Sequence, residues 1–207
     1  RSISAIMDDL RRFLPGDIGY GHLHAQPPIV ELLSTPPFAT YFILRDPRDV
    51  VVSHVHYVTE MESRHALHDY YLHQLETFDQ RLSASISGLE HHNLPLPNIY
   101  QRFAPFLGWL EAEQVLTLRY EDLMQERAEQ IGRILIHAVE RGLPLNCSIA
   151  EAVHKIEERI DPRRSPTFRK GKIGGWRESF NNEHKKLFKE VSGDLLVRLG
   201  YEQDDNW

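Results

Sequence analysis

Cysteine and long apolar runs are both scarce in this sequence. A single cysteine, Cys147, excludes an internal disulfide framework and suits a reducing compartment. No apolar stretch approaches the roughly 18 to 20 residues that cross a bilayer, and the first residues do not resemble a signal peptide. These absences favour a cytoplasmic protein without a membrane segment.

Positive charge is not in excess either. The chain has 24 lysines and arginines against 30 aspartates and glutamates, a formal net charge of -6. This balance excludes an overall coat of positive charge for nucleic acid, so any anion site must be a local concentration of cations. The length of 207 residues, with 41% hydrophobic and 26% charged content, is typical of one globular domain.

The spacing of apolar residues predicts alternating strands and helices. Apolar runs at residues 38 to 44 and 115 to 120 are typical of short, buried strands. Helical spacing predicts helices over residues 2 to 14, 64 to 87 and 121 to 141, and a last helix through Leu187, Val191, Leu195 and Leu199. Two strand-then-helix units favour an α/β fold with a mostly parallel sheet and helices on its faces.

The segment R-D-P-R-D-V-V-V-S, from Arg45 to Ser53, joins the first predicted strand to a helix. Asp46 is the predicted N-cap of that helix, with Pro47 at its first position. Ligands collect at the carboxyl ends of parallel strands, where a guanidinium can bind phosphate oxygens bidentately. Arg45 and Ser53 are therefore candidate phosphate ligands. The alternative is that Arg45 only pairs with Asp46 or Asp49, and that Ser53 is an ordinary helix residue.

A basic loop broken by glycines, R-K-G-K-I-G-G-W, runs from Arg169 to Trp176. Arg169 and Lys170 supply two cations, and Gly171 lets backbone N–H groups approach an anion closely. Trp176 is expected to anchor the loop to the body of the protein. The alternative is a solvated turn without a ligand. If the fold brings this loop to the first block, the two form a socket for a dianion such as a nucleotide phosphate.

Both blocks resemble segments of the sulfotransferases that use 3′-phosphoadenosine 5′-phosphosulfate (PAPS). Y-F-I-L-R-D-P-R-D-V-V-V-S is similar to the family's strand and helix for the 3′-phosphate of the nucleotide, which implies Arg45 and Ser53 as its ligands. R-K-G-x-x-G-x-W is similar to the family's C-terminal motif. That resemblance implies that Arg169, Lys170 and Gly171 close over the same phosphate.

Two further segments carry the same resemblance. G-H-L, at residues 21 to 23, matches the segment with the family's catalytic histidine and implies His22 as the general base. Taking a proton from the acceptor suits a side chain that titrates near neutrality. His24 is the alternative counterpart. L-R-Y-E-D-L, at residues 118 to 123, resembles the family's Y-E-D-L segment and implies that Tyr120 lies near the adenine.

The resemblance implies a three-layer, P-loop-like α/β fold and transfer of a sulfuryl group from PAPS to an acceptor hydroxyl or amine. PAPS and its product PAP would be the ligands, with a small molecule or glycan as acceptor and no metal or nucleic acid. The region from residue 54 to 100 is expected to form much of the acceptor side. A zinc pair at His54-x-His56 is the alternative there, but the single cysteine and the lack of a spaced carboxylate disfavour it.

One family segment does not occur in the sequence: the strand–loop–helix of the type P-[KR]-S-G-T, which cradles the 5′-phosphate. We expect it upstream of Arg1, so that residues 1 to 207 form a single sulfotransferase domain lacking this segment and nearly inactive even if it binds PAP. A non-catalytic PAP-binding or interaction module on the same scaffold is an alternative. A P-loop-type nucleotide kinase is another, but its G-x-x-x-x-G-K-[ST] motif is absent.

Overall fold

The computed structural model describes residues 1 to 90, 95 to 165 and 171 to 207. Its two strands are β1 (Tyr41–Leu44) and β2 (Leu116–Arg119). Its α-helices are α1 (Ile3–Leu10), α2 (Pro27–Ser34), α3 (Pro47–His56), α4 (His68–His73), α5 (Phe78–Ser87), α6 (Ile99–Phe103), α7 (Tyr120–Gln125), α8 (Arg127–Glu140), α9 (Ile149–Glu157), α10 (Trp176–Ser179), α11 (Asn182–Ser192) and α12 (Leu195–Arg198). A π-helical turn (Tyr57–Met61) continues α3, and 3-10 helices span Ala104–Glu111 and Pro162–Arg164.

The chain divides into two compact units. The first, which we call the sheet unit, combines Arg1–Leu44 with Pro105–Asp161. The second, the helical unit, combines Arg45–Ala104 with Pro162–Trp207. No helix in the described ranges is long and apolar enough to cross a bilayer.

In the sheet unit, β1 and β2 pair in parallel, with Leu44 opposite Arg119. Successive strand residues point to opposite faces of a sheet. On one face, the Tyr41 hydroxyl donates to the carbonyl of Ile134 in α8 at 3.0 Å. On the other, Phe42 packs against a core cluster formed by Leu10, Ile29, Leu33, Trp109 and Val115. Helices therefore cover both faces of a parallel sheet, which confirms the predicted α/β architecture.

The helical unit is built around the apolar face of α3. The fully buried residues of the unit include Val51, Val55, Val58, Tyr71, Leu82, Ile86, Ile99, Phe188 and Leu195. Helix α3 packs against α5, and α5 packs against α11. Burying this face holds α3 rigidly, so that the residues at its N-terminus have a fixed position within the unit.

Three helices predicted as continuous are divided in the structure. The helix predicted at residues 64 to 87 becomes α4 and α5, because Thr77 starts a new helix through a reciprocal capping box with Gln80. The last predicted helix ends at Gly193, which adopts φ +54, and resumes at Leu195 as α12. The apolar spacing runs through both breaks, so periodicity alone does not reveal them.

Several element ends also differ from the prediction. Helix α1 stops at Leu10 rather than at residue 14, and residues 11 to 22 are exposed. The helix predicted at residues 121 to 141 breaks at Glu126, whose φ of -122 and ψ of 43 are not helical. Gly142 follows the end of α8 with φ +99, a conformation typical of a glycine just past a helix C-terminus.

Candidate functional site

The site in the helical unit begins at the junction between β1 and α3. Arg45 follows β1 directly in the chain and is half-buried. The Asp46 carboxylate accepts the backbone N–H of Arg48 at 2.9 Å, so it is the N-cap that the sequence predicts. Pro47 occupies the first helical position, where its missing N–H costs nothing.

Arg48, the fourth residue of the R-D-P-R-D block, is buried, with only 2% of its surface exposed. Its guanidinium pairs with Asp46 at 2.8 Å and with Glu202 near the C-terminus. The guanidinium carbon lies 4.0 Å from the centre of the Trp176 ring and 4.6 Å from that of Trp207. These ion pairs and cation–π contacts tie the start of α3 to the last segment of the chain.

Asp49 joins the start of α3 to the C-terminal glycine loop. Its carboxylate accepts the backbone N–H of Gly174 at 2.7 Å and that of Trp176 at 2.9 Å. Burial raises the pKa of Asp49, while the two N–H donors and the charge of Arg45 oppose that rise. Trp176 is itself buried, so the loop is anchored as the sequence predicts. Sequence reasoning missed this role of Asp49, which it considered only as a possible partner of Arg45.

We expect Asp49→Asn to lower the free energy of unfolding by about 1.5 kcal/mol. Asparagine keeps one acceptor oxygen, but its amide group would face the second backbone N–H and leave that donor unpaired. Urea unfolding measures the loss, with Asp69→Asn, an exposed acid in the same unit, as the matched control. Equal stability of the two variants would contradict a stabilising role for the Asp49 contacts.

The Arg45 guanidinium reaches the same glycine loop. Its Nη2 donates to the backbone carbonyl of Lys172 at 3.3 Å. Gly171 and Gly174 adopt φ +61 and +70, a region that favours glycine. A Cβ at Gly174 would also clash with the guanidinium of Arg177. The structure therefore brings together the first block and the described part of the second, the juxtaposition on which the predicted phosphate socket depends.

Ser53 lies four residues after Asp49, one turn farther along the same face of α3. Ser53 therefore lies on the same face of α3 as Asp49, whose carboxylate contacts the glycine loop. It is half-buried. Two other predicted ligands, Arg169 and Lys170, lie outside the described residues.

In the sheet unit, His22 and His24 are both exposed beside the 3-10 helix Ala104–Glu111. Their rings meet the edge of Phe106, with centroids 6.4 Å and 5.2 Å away. The backbone between them is held in place, because the indole N–H of Trp109 donates to the carbonyl of Leu23 at 2.8 Å. Both rings are thus presented to solvent on a fixed segment, and geometry does not choose between them as base.

Tyr120 begins α7 immediately after β2. Because Leu44 and Arg119 are register partners, the two strands end level at one edge of the sheet. Tyr120, the first residue after β2, lies at this edge and is half-buried. Its position at a carboxyl end of a parallel strand is where ligands of such sheets bind.

His54, the residue after Ser53, belongs to a polar cluster in the helical unit. Its Nδ1 lies 3.0 Å from the Ser85 hydroxyl, which donates to the carbonyl of Val51. We therefore assign the proton of His54 to Nδ1, as the donor to Ser85. The rings of His65 and Tyr71 lie edge-on to His54, at 6.0 Å and 5.8 Å. This is part of the region that the sequence assigns to the acceptor side.

His54 should make the protein sensitive to acid. Burial, with the charges of Arg102 and His65, lowers its pKa from 6.5 to about 3. Between these values, the unfolded chain binds a proton that the folded chain does not, so stability falls as the pH falls. We expect a loss of roughly 1 kcal/mol per pH unit below pH 6.5, somewhat less than the limiting slope because the ring is incompletely buried.

Urea unfolding at about pH 7 and about pH 5 tests this expectation. His54→Gln should flatten the dependence on pH, whereas His73→Gln, an exposed histidine of the same unit, should leave it unchanged. A His54→Gln protein with the full acid sensitivity would contradict the assignment.

The alternative of a zinc pair at His54 and His56 finds no support in the geometry. The two residues are two apart on a helix and so face different directions. Nδ1 of His56 lies 2.7 Å from Glu60, while Nδ1 of His54 contacts Ser85. Across the part of the chain that the structure describes, no group of three or more potential ligands is placed to hold a metal ion.

Comparison with known proteins identifies one matching family model. The sulfotransferase domain model matches residues 22–137, just over half of the chain. The match includes His22, Arg45, Ser53 and Tyr120. A search of curated protein sequences finds no significant relative.

Two solved structures resemble the chain in fold. The mouse sulfotransferase SULT7A1 complexed with PAP is 19% identical with a TM-score of 0.57, over 95% of this chain and 70% of that one. Retinol dehydratase in complex with androsterone and the inactive cofactor PAP is 20% identical with a TM-score of 0.60, over 91% of this chain. The present chain spans only 56% of that second protein. At these identities the likeness shows the fold alone, which is the predicted P-loop-like α/β fold.

Proposed function

Because the chain belongs to the sulfotransferase family, we propose that it moves a sulfuryl group from PAPS to an acceptor hydroxyl or amine. The products are PAP and the sulfated acceptor. The observation that carries this proposal is the contact of Arg45 with the carbonyl of Lys172, 3.3 Å away in the C-terminal glycine loop. The two blocks that resemble the family's 3′-phosphate motifs are separated by more than 100 residues in sequence, yet they meet in the helical unit.

In this proposal, Arg45 and Ser53 bind the 3′-phosphate of PAPS. A guanidinium suits a phosphate because its N–H groups match two oxygens at once, and the serine hydroxyl adds a neutral donor. Gly171, with its φ of +61, allows the loop backbone to approach the same group closely. By the motif, Arg169 and Lys170 supply the remaining positive charge that a dianion requires.

His22 is the proposed general base. It takes the proton of the acceptor O–H as the acceptor oxygen attacks the sulfur of PAPS. The bond between sulfur and the 5′-phosphate oxygen breaks, and its electron pair leaves with PAP. The exposed ring of His22 is accessible to an acceptor, and positioned proton transfer of this kind contributes about 10²- to 10⁴-fold to a rate.

Tyr120 is the proposed neighbour of the adenine. An aromatic ring at the carboxyl end of a strand offers a flat apolar face to a base. Retinol dehydratase is crystallised with androsterone, which supports a small-molecule acceptor for the present chain. The histidine- and tyrosine-rich segment of the helical unit is the proposed acceptor side.

Calorimetric titration with three nucleotides tests the proposed 3′-phosphate site. PAP and adenosine 5′-phosphate differ only in the 3′-phosphate, so we expect PAP to bind about 100-fold more tightly. ATP, which carries extra phosphates at the 5′ position only, should not reproduce the gain. Equal affinities for PAP and adenosine 5′-phosphate would overturn the assignment of the 3′-phosphate site.

Turnover is tested separately, by following PAP formation from PAPS in the full-length protein with phenols, sugars and amines as acceptors. Acceptor-dependent release of PAP supports catalysis. Tight binding of PAP without release by any acceptor would show a binding module on a sulfotransferase scaffold.

A further inference from the structure

The buried guanidinium of Arg48 packs against two indole rings from different segments of the helical unit. Trp176 ends the C-terminal glycine loop, and Trp207 lies in the segment of residues 202 to 207. The two rings also meet each other edge to face, with centroids 5.5 Å apart. A cation–π contact is stronger when the cation is shielded from water, as Arg48 is. Arg48 and the two rings therefore form one packed group.

Trp207 is fixed by further contacts with α11. Its ring meets the ring of Phe188, which is fully buried, at a centroid distance of 5.8 Å. Nζ of Lys189 lies 5.1 Å from the centre of the same indole ring and donates to the backbone carbonyl of Asp205. Because Phe188 and Lys189 both belong to α11, that helix holds the C-terminal segment against the helical unit.

The other indole ring depends on such contacts for its position. Trp176 starts α10, which has only four residues, and a helix of this length is not stable by itself. Its ring meets Phe180 at a centroid distance of 5.7 Å, and its backbone N–H donates to Asp49. The ring of Trp176 is therefore held by the core of the unit and by the start of α3, where Arg48 covers one side of it.

The position of Trp176 determines where the glycine loop lies. The Lys172 carbonyl that accepts from Arg45 is only four residues earlier in the chain. Between them, Gly174 adopts φ +70, and glycine has more conformational freedom than any other residue. A loop with this freedom needs an anchor outside itself to keep one conformation. A displaced Trp176 would move the backbone that faces Arg45.

We propose that Arg48 and Trp207 are positioning residues of the nucleotide site: through Trp176, they hold the glycine loop in the conformation that accepts the 3′-phosphate. This inference rests on the proposed function, since it concerns the same phosphate. Arg48 is buried and pairs with Asp46 and Glu202, so its charge acts within the protein and not on a ligand. A loop ordered before the ligand arrives binds more tightly, because the entropy of ordering is not lost on binding.

Titration of PAP and adenosine 5′-phosphate into variants of the full-length protein tests the proposal. The measured quantity is the ratio of the two affinities, which isolates the contribution of the 3′-phosphate. We expect Trp207→Leu to lower this ratio about tenfold, since leucine fills part of the space but offers no π face to Arg48. Trp207→Phe keeps an aromatic face and should retain at least about half of the wild-type ratio.

Two further variants separate positioning from stability. Arg48→Lys keeps a cation for Asp46 and Glu202 but loses the flat guanidinium, so it should lower the ratio about fivefold. Val58→Ala removes two buried methyl groups from the π-helical turn that continues α3, roughly 15 Å along the helix from Arg48. It should destabilise the fold and leave the ratio unchanged.

Amide hydrogen exchange measures the hold on the loop without any nucleotide. Exchange of residues 171 to 179, followed by mass spectrometry, should be about tenfold faster in Trp207→Leu than in the wild type, because local opening exposes the N–H groups of Gly174 and Trp176. Trp207→Phe and Val58→Ala should exchange this segment at close to the wild-type rate.

Unchanged exchange of the loop in Trp207→Leu would overturn the proposal. Faster exchange with an unchanged affinity ratio would also overturn it, because the loop would then move without effect on the phosphate. So would a ratio that falls as far in Val58→Ala as in Trp207→Leu, since lost stability alone would explain both. If Trp207→Leu does not fold, Arg48→Lys decides.

A wild-type protein that binds the two nucleotides equally would reject the proposed 3′-phosphate site itself. Faster loop exchange in Trp207→Leu would in that case still show that the C-terminal ring holds the glycine loop. The two failures are therefore distinguishable.

Discussion

Replacing Arg45 by alanine is expected to weaken PAP binding by about 2 kcal/mol or more, roughly thirtyfold. The 3′-phosphate would lose its bidentate partner, while Ser53 and the glycine loop would remain. The contact of Arg45 Nη2 with the Lys172 carbonyl would also be lost, so the loop would be less well ordered for the ligand. Calorimetric titration of PAP into the variant measures the change directly.

Two controls isolate the role of the guanidinium. Arg198→Ala removes one positive charge from an exposed position in the same unit and should leave PAP affinity nearly unchanged. Arg45→Lys keeps the charge but not the planar fork, so it should fall between the wild type and Arg45→Ala. Adenosine 5′-phosphate should bind the wild type and Arg45→Ala alike. A PAP affinity that survives Arg45→Ala would remove the residue from the phosphate site.

The short-range parts of this site could be predicted from the sequence. A helix cap depends on residues within three positions of each other, so Asp46 and Pro47 mark the start of α3 without any knowledge of the fold. The order of strand, Arg45 and helix likewise follows from local pattern. Resemblance to a family added the expectation that a distant glycine loop meets Arg45, and the contact with Lys172 agrees with it.

The partners of the other charges in this block could not be predicted. Sequence alone left open whether Arg45 pairs with Asp46 or Asp49. In the structure, Asp46 binds Arg48, while Asp49 binds backbone N–H groups of the glycine loop. A local pattern contains no signal for either choice, because each depends on residues more than 120 positions away that bury the block.

The burial of Arg48 is the clearest feature that could not be predicted from the sequence. From the sequence alone, a charged residue in the first turn of a helix is expected to be exposed to solvent, because arginine is rarely fully buried. Here Trp176, Glu202 and Trp207 enclose it from the far end of the chain. Only the tertiary fold brings those rings and that carboxylate together.

Replacing His22 by alanine is expected to lower turnover of PAPS by about 10²-fold or more while leaving PAP affinity nearly intact. The proposed base acts only on the acceptor proton, and it takes no part in holding the 3′-phosphate. Rates are measured in the full-length protein, with PAP titration of the same sample as the test of intact nucleotide binding. His24→Ala is the matched control, because both rings are exposed, meet Phe106 edge-on and flank the same anchored backbone. Retained turnover in His22→Ala together with its loss in His24→Ala would transfer the role of base to His24.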